Sequence, residues 1–293
     1  MRVRRSLAAA AALPLVLAVA ACAPESDDDS SSASEPTGSS SADACATESL
    51  PLKTSGQLTV GTDSPAYEPW FVDNDPSNGE GFESAVAYAV AEQLGFTADQ
   101  VTWVKVPFNK SYAPGAKDFD FDINQISITP ERAEVVDFSD GYYAAAQAVI
   151  ALEGTAGAEA TSLDDLHDLR LGAQTGTTSL TAIRDVIQPH EDPAVFEDTN
   201  AAKNALQNDQ VDAILADLPT AFYISAVEIP KSKIVGQFQP DTGEQEEFGM
   251  LFEKGSGLVD CVNQALTALR DDGSLDQIEQ QWLSDVVNVP ELQ

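Results

Sequence analysis

Residues 123–132 read INQISITPER, in which apolar and polar side chains alternate before a proline and two charged residues. The alternation from Ile123 to Ile128 is typical of a strand. Pro130 suits the first turn of a helix, because the N–H that proline lacks has no intrahelical partner there in any case. We therefore predict a strand followed directly by a helical turn that carries Arg132.

Strand and helix patterns alternate in both directions from this segment. Further strands are predicted at 58–60, 101–106, 171–173, 211–215 and 248–252, and helices at 82–94, 166–169, 201–207, 219–227, 257–270 and 275–283. This alternation favours parallel sheets that are covered by helices on both faces. The chain is also near the size, about 250 residues, at which one hydrophobic core stops growing and chains divide. We predict an α/β fold with two similar units.

The first residues predict export. Three arginines within the first five residues precede an apolar run from Leu7 to Ala21. A basic start, a short apolar segment and small residues before a cleavage site are typical of a secretory signal peptide. The alternative, a membrane-spanning helix, needs roughly 20 apolar residues, and this run is shorter. Residues 1–21 are therefore predicted to be a signal peptide.

Cys22 follows the predicted cleavage site. Its position resembles the lipobox of bacterial lipoproteins, in which the cysteine thiol carries a diacylglyceryl group and becomes the new N-terminus. Two acyl chains give stable anchoring, whereas one gives only marginal binding. The alternative is a cysteine that happens to follow the cleavage site. The resemblance implies a protein on the outer face of the cell membrane, attached to it through this lipid anchor only.

Residues 22–44 are predicted to be a flexible tether between the anchor and the folded part. The segment consists almost entirely of Ser, Asp, Glu, Pro, Thr, Gly and Ala. Such a composition cannot bury enough apolar surface to offset the entropy lost on ordering the chain. We expect no chemistry there.

Composition and motifs exclude several classes of function. The chain has 15 Lys and Arg residues against 48 Asp and Glu residues, a formal net charge of −33. Because nucleic-acid binding depends on Lys and Arg, we expect no nucleic-acid partner. Neither His167 nor His190 has a partner at metal-ligand spacing, no Gly-x-Ser-x-Gly motif is present, and the loop 175–178 lacks the lysine of a phosphate-binding loop. We predict no catalytic residue, no metal and no cofactor.

Two cysteines remain beyond the tether. Cys45 lies where the tether ends, and Cys261 lies near the end of the chain. An even pair of cysteines in an exported protein favours a disulfide. The alternative is two buried thiols.

Arg132 and Asp217 are the most informative charged residues. A guanidinium can bind a carboxylate through two parallel hydrogen bonds, which lysine cannot do. The alternative for Arg132 is a surface arginine paired with Glu131 or Glu134, which would contribute little. Asp217 ends a predicted strand just before a helix, so it is either a ligand-binding carboxylate or the N-cap of that helix.

Several motifs together closely resemble the amino-acid-binding family (family 3) of ABC-transporter solute-binding proteins, with the glutamine and polar amino acid branch nearest. The resemblance runs in order from about Gly56 to Leu283. It rests on Gly81–Glu83, Ile126–Arg132, Val136–Tyr143, Gly172–Thr178, Asp212–Asp217, Phe248–Phe252, Leu269–Leu275 and Trp282.

The resemblance implies the two-lobed fold of type II periplasmic binding proteins. Each lobe would be a mostly parallel sheet flanked by helices, and two hinge strands would join the lobes. The implied first lobe is 46–144 plus 247–293, and the implied second lobe is 145–246.

The resemblance also implies roles for individual residues. Arg132 would hold the ligand carboxylate, together with the backbone N–H groups of Ser127 and Thr178. Asp217 would hold the ammonium group, together with the Ser127 hydroxyl and the Asn124 carbonyl. The remaining residues implied at the ligand are Asp63, Tyr67, Trp70, Phe108, Gln125, Gln174 and Thr177.

Departures from the family pattern leave the side-chain specificity open. Ala85 stands where the family usually repeats an acid, and Gln125 replaces a small residue beside the ligand. Gln174 stands where related glutamine binders carry a lysine, and the segment 109–115 is unlike the usual short helix. A neutral amide and a cationic amino acid both remain possible ligands.

The function implied by the resemblance is capture of a free amino acid for an ABC permease in the membrane, by a monomer that closes on its ligand. A ligand that contacts both lobes binds the closed form better and shifts the population toward it. Two alternatives stay open, because fold alone does not determine function. One is a sensor for a membrane signalling partner, and the other is a dehydratase-type enzyme on the same fold.

Overall fold

The computed structural model describes residues 45–239, 246–283 and 289–293. The predicted signal peptide, Cys22 and the predicted tether lie outside the described residues. Within those ranges, no helix combines the length and the apolar character that a membrane crossing requires.

The first sheet has five strands. They are β1 (Leu58–Thr62), β2 (Val101–Lys105), β3 (Phe121–Asp122), β4 (Val136–Phe138) and β12 (Leu251–Glu253). Their spatial order is β2-β1-β3-β12-β4. β1 runs parallel to both of its neighbours, and β12 runs antiparallel to β3 and β4. Because β1 and β3 are parallel, Asp63 and Asn124, which follow them, come out at the same edge of the sheet.

The second sheet also has five strands. They are β6 (Gln147–Leu152), β7 (Leu171–Gln174), β8 (Ala194–Phe196), β9 (Ala213–Asp217) and β10 (Ser232–Phe238). Their spatial order is β10-β6-β9-β7-β8, with β7 parallel to β8 and β9 and with β6 antiparallel to β9 and β10. The parallel strands β7 and β9 end at Gln174 and Asp217 on one edge.

The chain passes between the sheets twice. On the first passage it forms β5 (Tyr143–Ala144) and on the return it forms β11 (Glu247–Phe248). These two strands pair antiparallel as a separate two-stranded ribbon.

Eight α-helices occur in the described residues. They are α1 (Phe82–Gln93), α2 (Phe108–Ser111), α3 (Pro130–Ala133), α4 (Thr178–Ala182), α5 (Thr199–Gln207), α6 (Leu218–Tyr223), α7 (Val259–Asp271) and α8 (Ser274–Leu283). Single π turns at Ile183–Ile187 and Ile224–Glu228 continue α4 and α6. Gly81 precedes α1 with a φ of +96°, and a Cβ there would lie 2.4 Å from the Trp70 carbonyl oxygen, so only glycine fits.

Each sheet has its own hydrophobic core. In the first, α1, α7 and α8 pack an aromatic group that includes Trp70, Phe82 and Phe248. The second sheet is covered on both faces, since alternate residues of β6 and β9 belong to two different clusters. The α/β fold with sheets flanked by helices is therefore confirmed. The expectation of mostly parallel sheets is corrected, because two of the four strand pairs in each sheet are antiparallel.

The disulfide between Cys45 and Cys261 is present, with the two Cα atoms 5.4 Å apart. It joins the first described residue to α7. The alternative of two buried thiols is wrong.

The predicted strand from Ile123 to Ile128 is wrong. β3 ends at Asp122, and in the following segment only Ser127 forms an isolated bridge, with Phe248. The reason is Gln125, whose backbone is left-handed with a φ of +47° and whose N–H donates to the Glu83 carboxylate at 2.6 Å. This breaks the extended ladder and turns the segment toward the second sheet. The predicted strand 248–252 is likewise interrupted, at residues 249 and 250.

Candidate functional site

A cavity of about 50 Å³ is lined by residues that follow strands of both sheets. This volume is room for only a few water molecules, so a ligand of amino-acid size requires the walls to move apart. The lining consists of Asp63, Tyr67, Phe108, Asn124, Gln125 and Ser127, and of Gln174, Thr177, Thr178, Ser179, Thr199, Leu215, Ala216, Asp217 and Thr220. Ten of the twelve residues predicted at the ligand are in this set. The structure therefore brings them together, and their roles toward a ligand stay predictions.

Arg132 is one of the two predicted residues outside the lining. Its side chain is buried, with 8% of the residue exposed, and its guanidinium donates to the Ser127 carbonyl at 2.7 Å and to the Gly176 carbonyl at 2.9 Å. It stacks over Tyr112, with 4.8 Å from the guanidinium carbon to the ring centroid, and over Phe108. Ser127 and Phe108 line the cavity, so Arg132 lies directly behind its wall.

The surface ion pair considered for Arg132 does not form. Among the described residues no carboxylate oxygen lies within 4.0 Å of the Arg132 guanidinium nitrogens. Burial lowers the pKa of Arg132, and the negative charges of Glu246 and Asp217 are among the influences that oppose this shift. Two of the five N–H donors of the guanidinium are used, which leaves donors for a carboxylate.

Asp217 ends β9 at the cavity. It occupies the N-cap position of α6, but its side chain makes no capping hydrogen bond there. Its Oδ1 accepts a hydrogen bond from Gln147 Nε2 at 3.1 Å. Burial raises the pKa of the Asp217 carboxyl well above its usual range, and the neighbouring Glu246 adds to the shift. A cation placed at this carboxylate would stabilise its charged form.

Gln147 and Glu246 lie beside Asp217 at the cavity, and neither of them was predicted from the sequence. The Gln147 Nε2 also donates to Glu246 Oε2 at 2.9 Å and lies 3.3 Å from Thr178 Oγ1, and the Ser127 hydroxyl donates to Glu246 Oε1 at 2.5 Å. Gln147 is the lone polar residue in the apolar run 144–152, which was a usable signal, because a polar side chain in a buried strand needs a partner. Glu246 carries no such signal.

Two polar groups of the lining have no hydrogen-bond partner among the described residues, although both are buried. They are the Tyr67 hydroxyl and Asn124 Nδ2. Burial, followed by the nearby Asp198, raises the pKa of Tyr67, so its hydroxyl keeps its proton and can donate. Buried polar groups without partners are rare in folded proteins, so these two are suited to a polar ligand.

Both carboxylate oxygens of Asp63 accept hydrogen bonds from backbone N–H groups. Its Oδ1 accepts from the N–H of Ser64 at 2.6 Å, and its Oδ2 accepts from the N–H of Phe108 at 3.1 Å. The second bond fixes the start of α2 and thereby places Phe108 against the cavity and Arg132.

Trp70 is the other predicted residue outside the lining. It is fully buried and packs edge-on against Phe82, Tyr143 and Phe248. Its indole Nε1 donates to Thr220 Oγ1 at 2.7 Å, and Thr220 does line the cavity. Trp70, implied at the ligand by the resemblance, therefore does not line the cavity, because its ring belongs to the core and supports the wall through Thr220.

Three of the four departures from the family pattern make side-chain contacts around the site. The Gln125 side chain lines the cavity, but its amide binds the Glu83 carboxylate, which holds it to one side. Gln174 Oε1 accepts from the Thr199 hydroxyl at 2.8 Å. In the segment 109–115, Tyr112 stacks on Arg132 and its hydroxyl donates to Asn109 at 2.6 Å.

Comparison with known proteins agrees with this architecture. Residues 58–285 match the model of the bacterial extracellular solute-binding proteins, family 3. The L-cystine-binding protein TcyA of Bacillus subtilis is 29% identical over 247 residues, which cover 81% of this chain and 85% of the relative.

Solved structures show the same fold. An ancestral arginine-binding protein bound to glutamine is 30% identical, with a TM-score of 0.66 over 78% of this chain and 99% of that one. The ancestral amino acid-binding protein AncCDT-1, a precursor of cyclohexadienyl dehydratase, is also 30% identical, with a TM-score of 0.64 over 78% of this chain and 95% of that one.

Proposed function

The chain belongs to the bacterial extracellular solute-binding proteins of family 3, and we propose that it captures a free amino acid in the cavity and delivers it to an ABC importer. One observation carries the proposal. The Arg132 guanidinium is buried behind one part of the cavity wall and has no ion-pair partner within 4.0 Å among the described residues. The Asp217 carboxylate lies in another part of the same wall. A zwitterion supplies the missing partner to both.

The carboxylate of the ligand is assigned to the Arg132 end. Thr177 caps α4 through its hydroxyl, which accepts from the Leu180 N–H at 3.1 Å, and this sets the first turn so that the Thr178 N–H has no partner within the helix. Arg132, this N–H and the Ser127 N–H would then share the carboxylate. The ammonium group is assigned to Asp217, with the Ser127 hydroxyl and the Asn124 carbonyl.

For the ligand side chain we propose a polar group, with glutamine as the reference ligand. The unpartnered Tyr67 hydroxyl and Asn124 Nδ2 support this, because a side-chain amide supplies an acceptor to such donors. Guanidinium and ammonium side chains offer donors only. The ancestral arginine-binding protein that was solved with glutamine bound, which is 30% identical to this chain, also supports a polar ligand side chain.

We further propose that the protein works by closure of two lobes, 46–144 plus 247–293 and 145–246, on the ligand. Hydrogen bonds that cross between the two sheets support this, among them Arg132 to Gly176 and Trp70 to Thr220. Closure excludes water and so strengthens the contacts of the buried charges. In the same proposal, residues 1–21 are removed on export and Cys22 anchors the monomer to the outer face of the membrane.

The experiment that tests the proposal is a thermal-shift panel of the standard amino acids. A ligand at 100 times its Kd stabilises a protein by about 2.7 kcal/mol, which a melting curve detects. We expect a shift with at least one polar amino acid, and glutamine among the larger ones. A panel without any shift would contradict the proposal.

A dehydratase-type activity is the second candidate, favoured by the likeness to AncCDT-1. It is separated from transport by incubating the protein with each ligand that shifts its melting temperature and analysing the ligand by mass spectrometry. Transport predicts that the ligand is recovered unchanged. For the sensor alternative, the genes next to this one decide between a permease with an ATPase and a signalling kinase.

A further inference from the structure

Glu246 lies on the returning chain passage between the sheets, immediately before β11. Its carboxylate contacts Ser127, from the segment that follows β3, and Gln147, from β6 of the second sheet, at 2.5 Å and 2.9 Å. Ser127 and Gln147 are 2% and 0% exposed, so these are contacts in the interior of the molecule.

The orientation of the Gln147 amide follows from its surroundings. Its nitrogen faces three oxygens, of Glu246, Asp217 and Thr178, while its oxygen accepts from the Ser179 hydroxyl at 2.6 Å. Turning the amide over would place its oxygen against two carboxylates. The nitrogen must therefore be the donor to both acids.

The hydroxyl hydrogens of Ser127 and Thr178 also have defined orientations. A carboxylate only accepts, so the single hydrogen of the Ser127 hydroxyl is donated to Glu246. The Ser127 oxygen can then only accept from the Thr178 hydroxyl, 3.3 Å away. The two hydrogens of the Gln147 amide are already donated to Glu246 and Asp217. The donors run in one direction, from Thr178 to Ser127 to Glu246.

We infer that Glu246 is a positioning residue that determines which ligands the amino end of the site accepts. With the Ser127 hydrogen held by Glu246, Ser127 Oγ and the Asp217 carboxylate offer the ligand only acceptors. A protonated amino group has three donors and satisfies them, whereas a 2-oxo group has none and leaves them unpaired. Glu246 thus favours 2-amino acids over the 2-oxo acids with the same side chain. The inference rests on the proposed function, since it concerns the same site.

The test is the ratio of two dissociation constants measured by calorimetry, for a 2-oxo acid and for the matching amino acid. The probes are L-glutamine and 2-oxoglutaramate, or L-arginine and its 2-oxo acid if the panel ranks arginine higher. In Glu246→Ala the Ser127 hydroxyl becomes free to donate to a 2-oxo oxygen, so we expect this ratio to fall at least tenfold. In Glu246→Gln, which keeps the size but has one acceptor oxygen for two donors, we expect a fall of at least threefold.

Glu247→Ala is the matched control, since Glu247 is the exposed neighbour and its removal changes the charge equally. We expect it to keep the parent ratio. In a Ser127→Ala background, Glu246→Ala should change the ratio no further, because Glu246 acts through the Ser127 hydroxyl.

Two outcomes are distinguished. If the parent binds amino acids and both Glu246 variants keep the parent ratio, the inference is overturned while the proposed function stands. If the parent binds no amino acid, the proposed function fails and the inference fails with it.

Discussion

The indole Nε1 of Trp70 donates a 2.7 Å hydrogen bond to the hydroxyl oxygen of Thr220, 150 residues further along the chain. Trp70 belongs to the aromatic core of the first sheet, and Thr220 belongs to α6 and lines the cavity. The bond therefore links the interior of one sheet to the ligand-facing surface of the other. Both partners are buried, so neither can exchange this bond for water without separation of the two surfaces.

Thr220→Val should weaken ligand binding. The variant keeps the shape but leaves the indole N–H buried without a partner, which costs about 1–3 kcal/mol in the form that buries it. Because the cost falls on the closed form, we expect the Kd of the best ligand to rise roughly 5- to 150-fold. Calorimetry measures it, and Thr181→Val, at an exposed threonine of α4, is the control. An unchanged Kd in Thr220→Val would show that the bond does not contribute to closure.

Arg132→Ala should abolish most of the binding, and Arg132→Lys should not restore it. Lysine cannot reproduce the planar fork that reaches the Ser127 and Gly176 carbonyls, nor the stacking on Tyr112. We expect a rise in Kd of at least about 30-fold, in line with the 2–5 kcal/mol that loss of one partner of a buried charge pair costs.

The control for Arg132 is Arg184→Ala, which removes an exposed arginine from the turn after α4. Its Kd should equal that of the parent. Equal binding by the parent and Arg132→Ala would show that the carboxylate assignment is wrong.

Glu83 should make the stability depend on pH. Its burial raises its pKa to about 7, against an ordinary value of 4.5, despite hydrogen bonds from Tyr142 and Gln125. Because the folded-state pKa lies above the unfolded one, the contribution of this group is fully present below about pH 4.5 and is lost as the pH rises through 7. A difference of 7 − 4.5 = 2.5 in pKa corresponds to about 3 kcal/mol.

The measurement for Glu83 is urea unfolding at pH 5 and pH 8. The parent should lose more stability between these values than Glu83→Gln does, by up to about 3 kcal/mol. Glu92→Gln, at an exposed glutamate of the same helix, should behave like the parent. If Glu83→Gln and the parent lost the same amount, the raised pKa would be contradicted.

Removal of the disulfide should lower the stability. Cys45 and Cys261 are 216 residues apart, and for a loop of this length the chain-entropy treatment gives about 5 kcal/mol, of which native disulfides commonly deliver 2–5. The double variant Cys45→Ser/Cys261→Ser should unfold at lower urea concentration than the parent. Thiol titration of the unreduced, denatured parent should find neither cysteine reactive, and two reactive thiols would mean that the bridge does not form.

Local patterns predicted the regular elements well. The apolar spacing of 82–94 and its closing glycine predicted α1, and the β-branched run at 58–60 predicted β1, because both depend on neighbours within a few residues. The same reasoning failed at Gln125, where alternation predicted a strand. A buried acid 42 residues earlier in the chain, Glu83, takes its N–H and holds its backbone left-handed.

The candidate site also combines features that are predictable from nearby residues with features that depend on residues distant along the chain. The sequence by itself indicated the family, the longer helices, a disulfide between Cys45 and Cys261 and, through the family resemblance, most of the residues around the cavity, but not the long strands β6 and β10. The resemblance rests on short motifs that are readable along the chain, and the predicted disulfide rests on an even pair of cysteines in an exported protein.

Only the tertiary structure decided that Trp70 supports the wall instead of forming it, and that Glu246 shares Gln147 with Asp217. These relationships join residues that are 70 to 150 positions apart, so no local pattern encodes them. They arise because the two sheets pack with the carboxyl ends of their strands around one cavity, where most buried donors and acceptors find partners that are distant along the chain.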